Sequence, residues 1–274
     1  MRHDVSNINT ALIQSNREKV ISLSELSGVN LASSIRKRRF PRELPVAKPW
    51  CFRELAGRLA ELSAVDGAVS ALLTTSLGLV ADAQREGEPV CWIMTSPDTF
   101  FPPDAADTGV NLTMLPVIRI MGQELSPKRA VSKALRAAEI LARSGAFGLV
   151  VVDLGALKYV PVHALSRLKG QAQKHDTTIL FLTQKSSGES SLGSLISLRG
   201  EAHRVRMKSS NTPDPHIFNC GVKVLKDKRR GPGRCHIEKC YPPPGLCSTP
   251  PGLCSTPSGL CSTHPGLCST PSGF

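Results

Sequence analysis

An α/β fold is predicted: a mostly parallel sheet flanked by helices, with antiparallel strands at its C-terminal side. Three observations predict it. From Leu59 onward, short apolar segments alternate with longer amphipathic ones, the order that builds parallel strands joined by crossover helices. Several of the short segments are continuous apolar runs, VCWIM and FGLVVVDL among them, as expected of strands buried on both faces. After Gly193 the style changes to longer strands, LISLRGEAHRVRMK and IFNCGVKVLKD, which predict antiparallel pairing.

The elements follow in order. Residues 1–48 are polar, lack sustained periodicity and end in the basic cluster IRKRRFPR and a proline-containing connector, so an arm and linker are expected. The strand LAELS comes next, then a helix from Ala68 to about Glu86, whose Val69, Leu72, Leu73, Leu77 and Val80 recur at three-to-four spacing and put one face on the sheet. VCWIM (Val90–Met94) and LPVIRI (Leu115–Ile120) read as strands, followed by a helix from about Pro127 to Arg143. FGLVVVDL (Phe147–Leu154), a helix from about Val162 to Lys174, and TTILFLT (Thr177–Thr183) continue the alternation. The two later strands and a third, CHIEKCY, reached through the turn KRRGPG, complete a core domain over residues 49–241.

Residues 242–274 repeat a seven-residue unit, PPGLCST and its variants, and end in PSGF. A proline in every unit forbids a coiled coil, and so little apolar surface cannot offset the entropy of ordering, so this tail is expected to be disordered.

Composition bounds the function. At 274 residues and 41% apolar the chain can bury one sizeable core. Its 34 Lys and Arg against 22 Asp and Glu give a net charge of +12, which favours polyanionic partners or anionic surfaces. Of nine cysteines, four lie in the repeat tail and five are scattered, a pattern of reduced thiols rather than of a secreted disulfide framework. No apolar run approaches the roughly 20 residues of a membrane span, and the N-terminus lacks the apolar stretch of a secretory signal, so a cytoplasmic protein without membrane contact is expected. Nothing resembles the G-x-S-x-G elbow of a serine hydrolase.

The stretch ELSAVDGAVSALLTT (61–75) stands where a nucleotide-binding protein has its phosphate loop, between an apolar strand and an amphipathic helix. Yet no Lys lies between Arg58 and Arg85. The order of GRLAELSA, VADAQREGEPVCWIM, FGLVVVDLGAL, TTILFLTQ, SLISLRGEAHRVRMK and VKVLKDKRRGPG resembles the bacterial RecA recombinase core, over roughly Phe52 to Tyr241. Within that superfamily the chain is most similar to the divergent RecA-like proteins called ImuA, accessory factors of mutagenic translesion DNA synthesis.

The resemblance implies specific roles. A phosphate loop of the type G-x-x-x-x-G-K-[ST] cradles phosphates with backbone N–H groups, neutralises them with Lys and holds Mg²⁺ with the hydroxyl. Aligned without a gap, Ala64 and Val69 take the two glycine positions, Ser70 the lysine and Ala71 the hydroxyl, so all four defining positions differ. The catalytic Glu position falls near Ser96 or Pro97, with Asp98 out of register. Asp153 matches the Walker B acid, Gln184 the glutamine that links nucleotide state to DNA-binding loops, and Lys226 and Lys228 the paired lysines that reach a neighbouring subunit's nucleotide. Each also has a plain alternative: Asp153 as a strand-end cap, Gln184 as a partner of backbone groups, the lysines as a solvated turn. The loop after Gln184, KSSGESSLGS, is shorter than a filament-forming RecA carries, which argues against strand exchange, and Lys185 is left as a phosphate contact.

A basic patch is predicted from Arg204, Arg206 and Lys208, which share a strand face, extended by Arg229 and Arg230 of the KDKRR turn. It suits phosphates without sequence preference and equally an acidic protein surface; aromatics at 4% argue against a stacking platform for single strands. Cys220, Cys235, His236 and Cys240 lack a C-x-x-C pair, and adjacent strand residues point to opposite faces, so no metal site is expected.

Two functions of different class follow. The first is a non-enzymatic accessory protein of the DNA-damage (SOS) response in the bacterial nucleoid, with no cofactor. The resemblance implies as its partners a Y-family-like polymerase subunit, a mutagenic replicative-type polymerase and RecA, with single-stranded DNA a candidate for the basic patch. The second is a DNA-dependent ATPase or recombinase holding ATP and Mg²⁺ through backbone amides and Asp153. A regulator resembling the cell-division inhibitor SulA is a third reading, which the match through the C-terminal-side strands disfavours.

Overall fold

Strand β1 (Leu59–Ala64) runs through the middle of one mixed sheet and is buried at every position. The computed structural model describes residues 49–64, 69–95, 100, 102–120, 126–157, 159–206 and 218–240; the predicted N-terminal arm and repeat tail lie outside them. The other strands are β2 (Val90–Met94), β3 (Val117–Arg119), β4 (Leu149–Asp153), β5 (Thr178–Gln184), β6 (Leu198–Arg206), β7 (Phe218–Asp227) and β8 (Cys235–Cys240). Their spatial order is β3-β2-β4-β5-β1-β6-β7-β8. β1, β2 and β4 are buried at every position and β5 at all but Gln184, because helices cover both faces, which explains the apolar runs of β2 and β4.

The predicted α/β class, with antiparallel strands at the C-terminal side, is the one observed. β6 opens that antiparallel set and is itself parallel to β1, with Ala60 opposite Leu198 and Ser63 opposite Glu201. It is antiparallel only to β7, and β7 in turn to β8. The reason is topological. β5 and β6 flank β1 on opposite sides, so the chain leaving β5 must cross the face of β1 and return to the start of the sheet before β6 begins.

The helices are α1 (Phe52–Leu55), α2 (Val69–Arg85), α3 (Pro102–Asp107), α4 (Pro127–Ser144) and α5 (Val162–His175), with a 3-10 turn at Leu112–Met114. The three long ones were legible from their apolar spacing; α1, α3 and the 3-10 turn are too short to show a period. α2 lies on one face over Leu62, Leu180, Leu182, Val222 and Trp92, whose ring meets Phe100 at 5.3 Å between centroids. α4 and α5 lie side by side on the other face over Ile93, Val152, Ile179 and Phe181. α4 stops at Gly145, whose φ of +66° gives the left-handed cap that side chains disfavour.

No helix among the described residues is long and apolar enough to cross a membrane. The described cysteines Cys51, Cys91, Cys220 and Cys235 form no disulfide, and burial pushes the Cys91 thiol up to about 12, which leaves it unreactive.

Candidate functional site

The C-terminal ends of β1, β5 and β4 are neighbours, and they bring together three residues picked out in the sequence. Ala64 ends β1 opposite Gln184 of β5, while Asp153 ends β4 opposite Leu182 of β5 and Met94 of β2. α2 starts at Val69, so the positions aligned with the two glycines bracket a four-residue connection, 65–68. Ser70 and Ala71 are then the second and third residues of the helix. The order of strand and helix is that of a phosphate loop, and the link between them, 65–68, lies outside the described residues. The chemistry is different: Ala64 and Ala71 are buried methyls of the core, and Ala71 has no hydroxyl for a metal. The region aligned with the catalytic Glu, 96–99, lies outside the described residues.

Asp153 is buried, and its Oδ1 accepts the Gly155 N–H at 3.0 Å. Its carbonyl accepts the Thr95 N–H at 3.2 Å and the Thr95 hydroxyl at 3.0 Å. The Gln184 N–H donates to the Gly155 carbonyl at 2.9 Å. A carboxylate that accepts from the N–H two residues on forms an Asx turn. Asp153 therefore shapes the chain as it leaves β4, as a strand-end cap does.

The second cluster was not foreseen. The crossing segment, Lys185 to Ser197, passes over Glu61 in the middle of β1. Glu61 is fully buried, and its carboxylate meets Lys185 Nζ at 2.6 Å, accepts the Thr183 hydroxyl at 3.0 Å and accepts the Leu192 N–H at 2.8 Å. Lys185, offered by the sequence as a phosphate contact, is instead buried in this pair and also donates to the Ser190 carbonyl at 3.1 Å. Arg199, buried on β6, donates to the Ser186 carbonyl at 2.8 Å, to the Glu189 carbonyl and to the Ser63 hydroxyl. Leu192 and Ile196 anchor the segment in the core beneath α5.

Lys226 and Lys228 belong to the same clamp. Lys226 Nζ donates to Ser191 Oγ at 3.1 Å and to the Gly193 carbonyl at 3.3 Å; Lys228 Nζ donates to the Ser194 carbonyl at 2.6 Å. Burial, with the nearby charges of Lys228 and Arg199, lowers the Lys226 amine against the opposing pull of Glu61. At the segment's far end Arg58, 2% exposed, meets Asp227 at 2.6 Å and donates to the Ser197 carbonyl and hydroxyl. Asp227 also takes the Arg229 N–H at 2.8 Å and the Arg234 guanidinium. Burial alone would raise the Asp227 carboxyl, but the Arg229 N–H and the bond and charge of Arg58, with the charge of Arg234, hold it below its usual value.

The predicted basic patch is not assembled as one surface. Arg204 is exposed near the far end of β6, paired with Cys220, and Arg206 ends that strand; Lys208 lies outside the described residues. Arg229 and Arg230 sit in the β7–β8 turn, where the Lys228 N–H bonds the Ser197 carbonyl at the start of β6. The seven residues from Ser197 to Arg204 separate the two groups by about 23 Å along the strand. Arg230 is further occupied by Glu54 at 2.8 Å. Cys235 is in register with Lys223 and His236 with Val222, which places them on opposite faces, and Cys220 is buried in the core.

The residues missed were Glu61, Arg58, Arg199 and Asp227. One signal was available: a glutamate inside the apolar strand LAELS must find a cation when both faces of that strand are covered. No protein-family model matches the chain, and no curated protein is significantly similar to it.

Proposed function

We propose that this chain is a RecA-like accessory protein of mutagenic translesion DNA synthesis that acts by binding partners and has no ATPase of its own. Its partners in this reading are a Y-family-like polymerase subunit, a mutagenic replicative-type polymerase and RecA, in the bacterial cytoplasm. The observation that carries the reading is the junction of β1 and α2. A strand is followed four residues later by a helix, as around a phosphate loop, while Ala71 is a buried methyl and no Lys or Arg stands between Arg58 and Arg85. A triphosphate there would meet backbone amides and the Asp153 carboxylate without a cation to balance its charge. The antiparallel β7 and β8 beyond a parallel core are also the arrangement the resemblance implies.

The position of one of the paired lysines supports the same reading. Lys228 is level with Leu59, at the opposite end of β1 from Ala64, roughly 17 Å along the strand. Lys228 thus stands at the end of the sheet away from this chain's own rim, as a residue that meets a phosphate on another subunit must, while Lys226, in register with Arg199, is nearer the middle of the sheet. Titration with a fluorescent ATP analogue and Mg²⁺, with and without single-stranded DNA, should show neither saturable binding nor phosphate release. Saturable binding with DNA-stimulated turnover, lost in Asp153→Ala, would replace this reading with that of a DNA-dependent ATPase. The variant Lys226→Gln/Lys228→Gln should bind RecA filaments at least several-fold more weakly; undiminished binding would remove the lysines from the interface.

A further inference from the structure

The excess positive charge of the folded core is concentrated where the sequence did not draw attention to it. Residues 49–241 contain 25 Lys and Arg against 18 Asp and Glu. α4 and α5 together contain eight against one, so these two helices hold the entire excess of seven and the remainder of the core is balanced. They pack side by side with their apolar faces on the sheet, which turns the cations outward. The one acid, Glu139, is shared between Arg136 at 3.5 Å and Arg167 at 3.2 Å. Lys128, Arg129, Lys133, Arg143, Lys169 and Lys174 make no ion pair with any described residue, and all but Lys169, which is half-buried, are exposed.

Helix stability does not account for this face. Arg129 and Lys133 are like charges four apart, Lys133 and Arg136 three apart, both unfavourable spacings. Lys128 and Arg129 stand in the first turn of α4, which has no acid and where the helix dipole disfavours cations. A merely solvated surface would intersperse both signs.

We propose that the outer face of α4 and α5 docks the phosphate backbone of a nucleic acid. From Arg129 to Arg143 the cations extend about 21 Å along α4, several nucleotides' length. The centre of the face offers cations, serines and glycine, with no large apolar or aromatic side chain to serve as the buried anchor of a protein interface. For the same reason it lacks the apolar wedge with which an amphipathic helix enters a lipid surface. Charge without anchors suits a polyphosphate, bound without sequence preference and with strong salt dependence. Tyr159 and Val162, 72% and 66% exposed, stand at the start of α5, where an unstacked base could rest on the ring. This surface is independent of the rim and of the RecA-like reading, and the test involves neither ATP nor RecA.

Fluorescence anisotropy with labelled single-stranded and duplex oligonucleotides, measured on the full chain over a range of salt, tests the proposal. Lys133→Gln/Arg143→Gln/Lys174→Gln removes three exposed cations from the face. Lys223→Gln/Arg229→Gln/Arg230→Gln removes the same charge from β7 and its turn. The first variant should lose affinity at least tenfold at low salt, its log–log salt slope falling by about 2 for single strands, while the second changes little. Equal losses in both variants, or no loss in the first, overturn the proposal. So does tighter binding to phosphatidylserine vesicles than to either oligonucleotide, with the same sensitivity to the first variant, since that makes the face a lipid surface.

Discussion

The rim at the ends of β1, β4 and β5 and the crossover from Lys185 to Ser197 lie a few residues apart and are built on opposite principles. The rim, as far as it is described, owes its shape to main-chain geometry: an Asx turn at Asp153 and the bond from the Gln184 N–H to the Gly155 carbonyl. Two of its four defining positions, Ala64 and Ala71, are buried methyls, and an alanine there is compatible with the strand and helix because packing of α2 on the sheet sets their placement. The crossover has almost no regular structure and is held by charge, with Glu61, Lys185, Arg199, Lys226, Lys228 and Arg58 all contacting it. Element order and site chemistry are therefore encoded separately: a strand and helix in this order do not require phosphate-binding residues, and a cluster of cations does not require a phosphate.

If the crossover carries fold stability and the rim does not, mutations should separate them. The largest effect is expected from Lys185→Met, which leaves Glu61 buried without its ion-pair partner. Breaking one side of a buried pair costs about 3 to 5 kcal/mol, and here Thr183 and Leu192 continue to satisfy two acceptor sites. Urea unfolding should show a loss of about 4 kcal/mol with the slope unchanged; a loss below about 1 kcal/mol would mean that the pair is solvated and the clamp is held by Leu192 and Ile196.

Asp227→Asn acts at the other end of the crossover and should cost about 3 kcal/mol, because Arg58, 2% exposed, keeps its charge and loses its counter-ion. This effect depends on pH. The folded-state carboxyl is held below its usual 3.8, so its stabilisation is complete above that value and disappears as pH falls through the depressed folded value. The gap between wild type and Asp227→Asn should be constant from neutral pH to about 5 and narrow below about 4. A gap independent of pH down to about 2 would show that the amide's loss is one of shape and not of charge.

The difference between the regions also explains what the sequence revealed. β1, β2, β4 and β5 were legible because each is a short, mainly apolar run, and α2, α4 and α5 because their apolar residues keep a helical period. Asp153 and Gln184 were legible because they end apolar runs. The role of Lys226 was not, since its partners Ser191 and Gly193 lie more than thirty residues away in a segment whose composition suggests an open loop. The parallel pairing of β6 with β1 was not legible for the same reason: whether a Ser- and Gly-rich connection turns back or crosses over depends on which strand it must pass. The cationic face of α4 and α5 was hidden because each helix alone has ordinary surface charge, and only their packing side by side puts eight cations together.

The smallest effect is expected at the rim itself. Asp153→Ala removes the acceptor of the Gly155 N–H at a buried position, worth about 1 kcal/mol. The informative comparison is with Lys185→Met under the same conditions. Should Asp153→Ala prove the more damaging of the two, the carboxylate would be organising more than its own turn, and the rim would have to be treated as a charged site that the fold maintains. A loss confined to about 1 kcal/mol leaves Asp153 as the end of a strand, with the electrostatic weight of the molecule in the crossover.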